Sequence, residues 1–161
     1  MNVTKLTVDK VVKALDCRSE SDTGRNQILL HKKYGLDALV PHYIEAFPRI
    51  KSWIGRKYII FWIRRYARKN PDVVILAKAA LNDKSWKVRQ DACAALAYAL
   101  DSSALPSLRK LLTHSNETTR EDAAAAIDAI ESKNHHFFYD RKHAGNIFWD
   151  VDPEDKEQNR K

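Results

Sequence analysis

Apolar residues mark one helical stripe beginning at Val88. Val88, Ala92, Ala95, Leu96, Ala99 and Leu100 stand at i, i+4, i+7, i+8, i+11 and i+12, the spacing of a buried face on a 3.6-residue helix. The stripe returns at Ala123, Ala126, Ile127 and Ile130. Aligning 83–96 with 114–127 sets Arg89 on Arg120, Asp91 on Asp122, Ala92 on Ala123, Ala95 on Ala126 and Leu96 on Ile127. The offset is 31 throughout, and Leu81 meets Leu112 at the same spacing. Self-similarity at a fixed period of this size predicts an array of repeated helix pairs. Shorter apolar segments, 73–81 and 104–112, predict the first helix of each pair. The polar stretches 82–85 and 114–116 supply turn and cap residues between the helices. One such pair cannot bury both of its faces, so stacked neighbours must complete the core.

Weaker forms of the pattern flank this region. Residues 7–15 predict a short helix, 17–25 a polar loop, and 26–34 a second helix closed by Gly35; together 1–35 read as an N-terminal helical cap. Asp37 opens an amphipathic helix carrying Leu39, Val40, Tyr43, Ile44 and Phe47. Placing Arg56 under Arg89, an offset of 33, then sets Ile59, Trp62 and Ile63 under Ala92, Ala95 and Leu96. The segment 37–69 thus reads as a divergent repeat, followed by repeats at 71–101 and 103–132. After Ser132 the period stops. Aromatic runs at 137–139 and 147–151 flank Ala144, Gly145 and Asn146, which predicts a small hairpin or extended tail over 133–152 packed on the last repeat, with 153–161 frayed. The whole reads as one all-α domain, a short right-handed α-solenoid of about three helix pairs with a non-helical aromatic tail.

The series Leu81, Asp83, Val88, Arg89, Ala92, Ala95 and Leu96 resembles a HEAT repeat of the bacterial short type. That resemblance implies a structural bond between the turn Asp83 and Arg89. The second copy keeps Arg120 but carries His114 in place of the acid. It also implies a binding scaffold rather than a catalyst, although a few DNA-repair glycosylases use stacked HEAT-like helices. In size and architecture the chain is similar to small bacterial inhibitors, including immunity proteins that neutralise a toxin domain.

Composition narrows the classes further. The chain has 161 residues, enough for a substantial core, and only two cysteines, Cys17 and Cys93, without metal or redox spacing. No apolar run is long enough to span a membrane and no signal-peptide pattern opens the chain, so a reducing cytoplasm is expected. The net charge of +7 is uneven: residues 1–70 hold 15 Lys/Arg against 6 Asp/Glu, and 71–161 hold 13 against 15.

The basic excess concentrates in 49–69, where Arg49, Lys51, Arg56, Lys57, Arg64, Arg65, Arg68 and Lys69 interleave with Trp53, Tyr58, Phe61, Trp62 and Tyr66, with no acid. On a single helix from about Ser52, Lys57, Phe61, Arg64 and Arg68 would share one face. Such a surface suits an acidic protein or a phosphate backbone. The expected partner-facing set is Arg49, Lys51, Lys57, Phe61, Arg64, Arg65 and Arg68, continued by the outward residues Gln90, Ala94 and Tyr98 of the next helix. A protein partner, a toxin domain among the candidates, is preferred to nucleic acid, because the remainder of the chain is net negative.

A second group, His135, His136, Asp140 and His143, has ligand types suited to zinc or to acid–base work but no metal-motif spacing. Asp150, Asp152, Glu154 and Asp155 lack the spacing of a calcium loop. No nucleophile elbow, phosphate-binding glycine loop or His-Glu-x-x-His occurs. Asp83 beside Trp86 is the nearest counterpart of a glycosylase acid, and the repeat turn already accounts for it. No cofactor and no catalytic residue are expected; a metal-dependent enzyme is the remotest alternative.

Overall fold

The computed structural model describes residues 4–145 and residue 151. All regular structure among them is helical: α1 (Val8–Leu15), α2 (Glu20–Tyr34), α3 (Leu36–Ala46), α4 (Trp53–Ile63), α5 (Pro71–Ala80), α6 (Trp86–Ala99), α7 (Leu105–Lys110) and α8 (Glu117–Glu131), with short 3-10 turns between and after them. The chain divides into two compact units, Met1–Ile63 and Arg64–Lys161.

In the first unit Thr7 caps α1 by accepting from the Lys10 amide at 3.3 Å. The polar stretch expected as a loop is instead the opening of α2. Ser19 accepts from the Asp22 amide, and Glu20 and Asp22 place negative charge in the first turn, where the helix dipole favours it. Gly35, at φ +77°, ends α2 and starts α3 in one residue, a conformation that costs other side chains more. Pro41 lies inside α3 on its exposed side, where the lost backbone donor removes one helical bond without breaking the helix. Val11, Leu15, Leu39, Tyr43, Ile59, Ile60 and Ile63 form the fully buried core. α4 reaches α1 at Gly55, where a Cβ would collide with the Leu15 carbonyl and lie 2.9 Å from Ile50 Cγ2.

In the second unit α5 packs on α6, α7 on α8, and α8 along α6. Ala92, Ala95 and Leu96 of α6 and Ala123, Ala126 and Ala129 of α8 are fully buried, small side chains that bring the two axes close. Leu100 in the left-handed conformation stops α6. In three segments the cap is an Asx bond to the amide two residues on: Asn70 accepts from the Asp72 amide (3.0 Å), Asp101 from Ser103 (2.8 Å) and Asn134 from His136 (3.1 Å). The first two precede α5 and the α7 segment. The third begins a 3-10 turn, His135–Phe138, that packs on α8 and α6.

That turn corrects the expected hairpin. The first aromatic run coils rather than extends, because Asn134 caps it and Phe138, 1% exposed, seats in the core. Residues 146–150, most of the second aromatic run, and the expected frayed segment from 153 lie outside the described residues.

The repeat bond also differs from the family expectation. Arg89 Nη1 donates to the carbonyls of Asp83 (2.6 Å) and Lys84 (3.0 Å), not to the Asp83 carboxylate, which accepts from the Ser85 amide at 2.9 Å. Arg120 donates likewise to His114 O (2.7 Å) and Ser115 O (3.1 Å), while His114 Nδ1 accepts from the Asn116 amide at 2.9 Å. The imidazole nitrogen thus replaces the carboxylate oxygen, and both turns close. In the first unit Arg56 makes the same pair of bonds to Ile50 O (3.0 Å) and Lys51 O (2.7 Å). Ile50 offers no acceptor for the following amides. Asp16, at the end of α1, supplies it by accepting from Lys51 (3.0 Å) and Ser52 (2.8 Å).

Candidate functional site

The basic–aromatic segment does not form one helix. α4 ends at Ile63, Arg64–Tyr66 is a 3-10 turn and 67–69 a further turn, so Lys57 and Phe61 share no helical face with Arg64 and Arg68. The partner set expected from the sequence therefore falls into two groups.

In the first unit α4 exposes a stripe at i, i+4 and i+8: Trp53 and Lys57 half-buried, Phe61 40% exposed. Lys57, Tyr58, Phe61 and Trp62 line a pocket of about 240 Å³. Its back wall is fixed from behind. Trp62 meets Phe61 edge-on at 5.4 Å and His31 at 4.8 Å, and His31 bridges Gln27 and Tyr43 at 2.8 Å each. Burial lowers the His31 pKa, in keeping with Nδ1 accepting from the Gln27 amide nitrogen. At the start of α4 a wider depression of about 470 Å³ is lined by Asp16, Arg18, Lys51, Ser52, Trp53 and Ile54. Arg49 is exposed and paired with Asp9. Among the described residues no carboxylate pairs with Arg18, Lys51 or Lys57.

In the second unit the expected outward residues face inward. Ala94 and Tyr98 are buried, and Gln90 donates to Asp122 at 3.2 Å. The reason is packing: α6 is covered by α5, by α8, by the Arg64–Tyr66 turn and by the His135–Phe138 turn, so every residue of it from 91 to 98 is buried. Arg68 is part of that cover. Its guanidinium lies 4.1 Å from the Tyr98 ring centroid, and it donates from Nε to Tyr98 O (2.8 Å) and from Nη2 to His135 Nδ1 (3.1 Å). Arg64 and Arg65 are half-buried in the preceding turn, and Arg64 hydrogen-bonds the Tyr139 hydroxyl, whose pKa burial raises.

Within the His and Asp group of the tail, His135 and His136 are buried side by side, their ring centroids 4.0 Å apart. His135 engages Arg68 and stacks edge-on against Tyr98 at 5.4 Å. Asp140 closes the following loop by accepting from the Ala144 and Gly145 amides at 2.9 Å each. His143 lies parallel to Phe137 at 3.7 Å and reaches Asp128 at 2.6 Å. Among the described residues no group of three His, Cys, Asp or Glu is placed to hold a metal ion. Asp122, a repeat acid the sequence reading used only for alignment, holds Arg141 at 2.7 Å from a 2% exposed carboxylate; its recurrence at Asp91 was the available signal.

A family model for HEAT repeats matches residues 52–135, more than half of the chain. It covers α4 as well as the two regular helix pairs. Comparisons with curated proteins and with solved structures find no match. The chain belongs to the HEAT-repeat family, whose repeats generally serve as protein-interaction scaffolds. No helix among the described residues is long and apolar enough to cross a membrane.

Proposed function

We propose that this chain is a non-enzymatic protein-binding module whose partner docks on the basic face of the first unit, centred on α4. The observation that carries the reading is a division of labour among charged residues. The repeat arginines Arg56, Arg89 and Arg120 are used in turn carbonyl bonds, and Arg68 in clamping Tyr98 and His135. Arg18, Lys51 and Lys57 form no salt bridge among the described residues, although Asp16 lines the same depression as the first two. They flank half-buried Trp53, Tyr58 and Trp62 and exposed Phe61, the composition of a binding hot spot.

Nucleic acid is the second reading. These three cations alone would give log K a slope of only about −3 against log salt, below that of proteins making six to ten phosphate contacts. A small module of this kind acts by occluding its partner's surface, which suits an inhibitor of the immunity-protein type. That finer assignment rests on size and architecture.

Tagged protein would be used to capture partners from native lysate with and without nuclease. One protein retained after nuclease and lost with Lys51→Glu/Lys57→Glu supports the module. Capture of nucleic acid alone, released by moderate salt, overturns it.

A further inference from the structure

We infer that the α4 face takes an acidic polypeptide segment that inserts one large apolar side chain into the pocket formed by Lys57, Tyr58, Phe61 and Trp62. The inference rests on the protein-binding reading above and adds the chemistry of the partner.

Three observations converge on it. The pocket, about 240 Å³ with three aromatic rings and a single ammonium at its rim, has room for one side chain of Leu, Phe or Trp size. Its walls are already set: Tyr58 stands against Gly24 of α2, and Trp62 is held through His31 by Gln27 and Tyr43. A partner residue entering it therefore meets little reorganisation cost, which is where anchor residues gain affinity. The third observation is charge. Residues 1–63 hold eleven Lys/Arg against six Asp/Glu, and the cations nearest the stripe, Arg18, Lys51 and Lys57, have no carboxylate partner among the described residues. Carboxylates flanking the anchor would be steered and registered by them.

The spacing limits the segment. Trp53 and Phe61 are eight residues apart, roughly 12 Å at the helical rise. About two turns of a partner helix, or four extended residues, reach from the Arg18–Lys51 depression to the Lys57 pocket. A duplex phosphate backbone fits less well, because it brings no group to fill an apolar recess; unpaired bases, which do stack on aromatic rings, are distinguished by the oligonucleotide arm of the test.

The test is a phage-displayed library of random linear peptides, selected on the immobilised full-length chain. Expected is a consensus with Asp or Glu flanking one Leu, Phe or Trp. The corresponding synthetic peptide should bind at least tenfold more weakly after anchor→Ser, and at least tenfold more weakly to Lys57→Glu and Phe61→Ala protein. A peptide that binds both variants like the parent overturns the inference, as does a consensus without acid or anchor. So does the absence of any enrichment, or displacement of the peptide by a single-stranded oligonucleotide of equal charge concentration. If the selection fails while lysate capture still yields one nuclease-resistant protein, the module reading stands and this partner chemistry falls. If both fail, both fall.

Discussion

Arg89 and Arg120, 31 residues apart, make the same bonds: each donates through Nη1 to the carbonyls six and five positions before it. Arg89 differs in adding a contact between repeats, from Nε to Thr119 Oγ1 at 2.9 Å, and is 5% exposed. Replacing Arg89 with Ala would remove charge-assisted bonds to two part-buried carbonyls and to the Thr119 hydroxyl, which keeps only its bond to Asn116, at a cost of roughly 3 kcal/mol. Arg120→Ala, at a half-buried site, should cost about 1 kcal/mol. Urea unfolding of the two variants checks the ordering; equal losses would show that the Thr119 contact contributes nothing.

The glycines of the first unit give a second contrast. A Cβ at Gly55 meets the Leu15 backbone, which cannot turn aside, so Gly55→Ala should destabilise by about 1–3 kcal/mol or more. At Gly24 the nearest atom is the Tyr58 hydroxyl at 3.0 Å, the end of a side chain. There the helix-propensity gain of up to about 1 kcal/mol makes Gly24→Ala neutral or stabilising. Thermal melts of both variants decide this.

Cys93 is fully buried in α6 with its thiol pKa pushed well up by burial and by the Asp122 carboxylate, whereas Cys17 is half-buried at the end of α1. Native protein should therefore release one equivalent of thiolate product rapidly with a disulfide reagent, and the second only in denaturant. Loss of the fast phase in Cys17→Ser assigns it.

His31 predicts a pH dependence. Its pKa is lowered in the folded state from the ordinary 6.5, so between the two values the unfolded chain binds more protons. Its stabilisation is complete above the unfolded pKa and declines as pH falls below about 6.5 through the folded value. The stability lost between about pH 7 and pH 5 should be smaller in His31→Gln than in the parent chain. An equal loss in both proteins would exclude His31 as the source.

How much of this was legible in the sequence depends on whether a residue's role is set locally. The 31-residue period found the α5–α8 pairs, and the offset of 33 put Arg56 in register, because a turn arginine needs only carbonyls five and six residues away. The cap role of 19–25 was legible too, as Ser19 followed by Glu20 and Asp22, but the polar composition masked it. Arg68, Ala94 and Tyr98 failed differently. Helical periodicity says which side of α6 is apolar, not that α5, α8 and two 3-10 turns would bury all of 91–98. The break after Ile63 likewise has no glycine or proline to announce it, and it leaves Lys57 and Phe61 on a helix that ends before Arg64 and Arg68. Of the expected partner set, Lys51 and Phe61 are exposed and Lys57 half-exposed on the α4 face, while Arg49 is exposed but paired with Asp9.

The central claim is that α4 is the docking face for a protein. Calorimetric titration of the captured partner into the parent chain and three variants tests it most directly. The account predicts 1:1 binding that weakens at least tenfold in Lys57→Glu and in Phe61→Ala and is unchanged in Lys110→Glu at the end of α7, with all three variants melting near the parent temperature. Full affinity in both α4 variants would contradict it and move the docking face elsewhere on the chain.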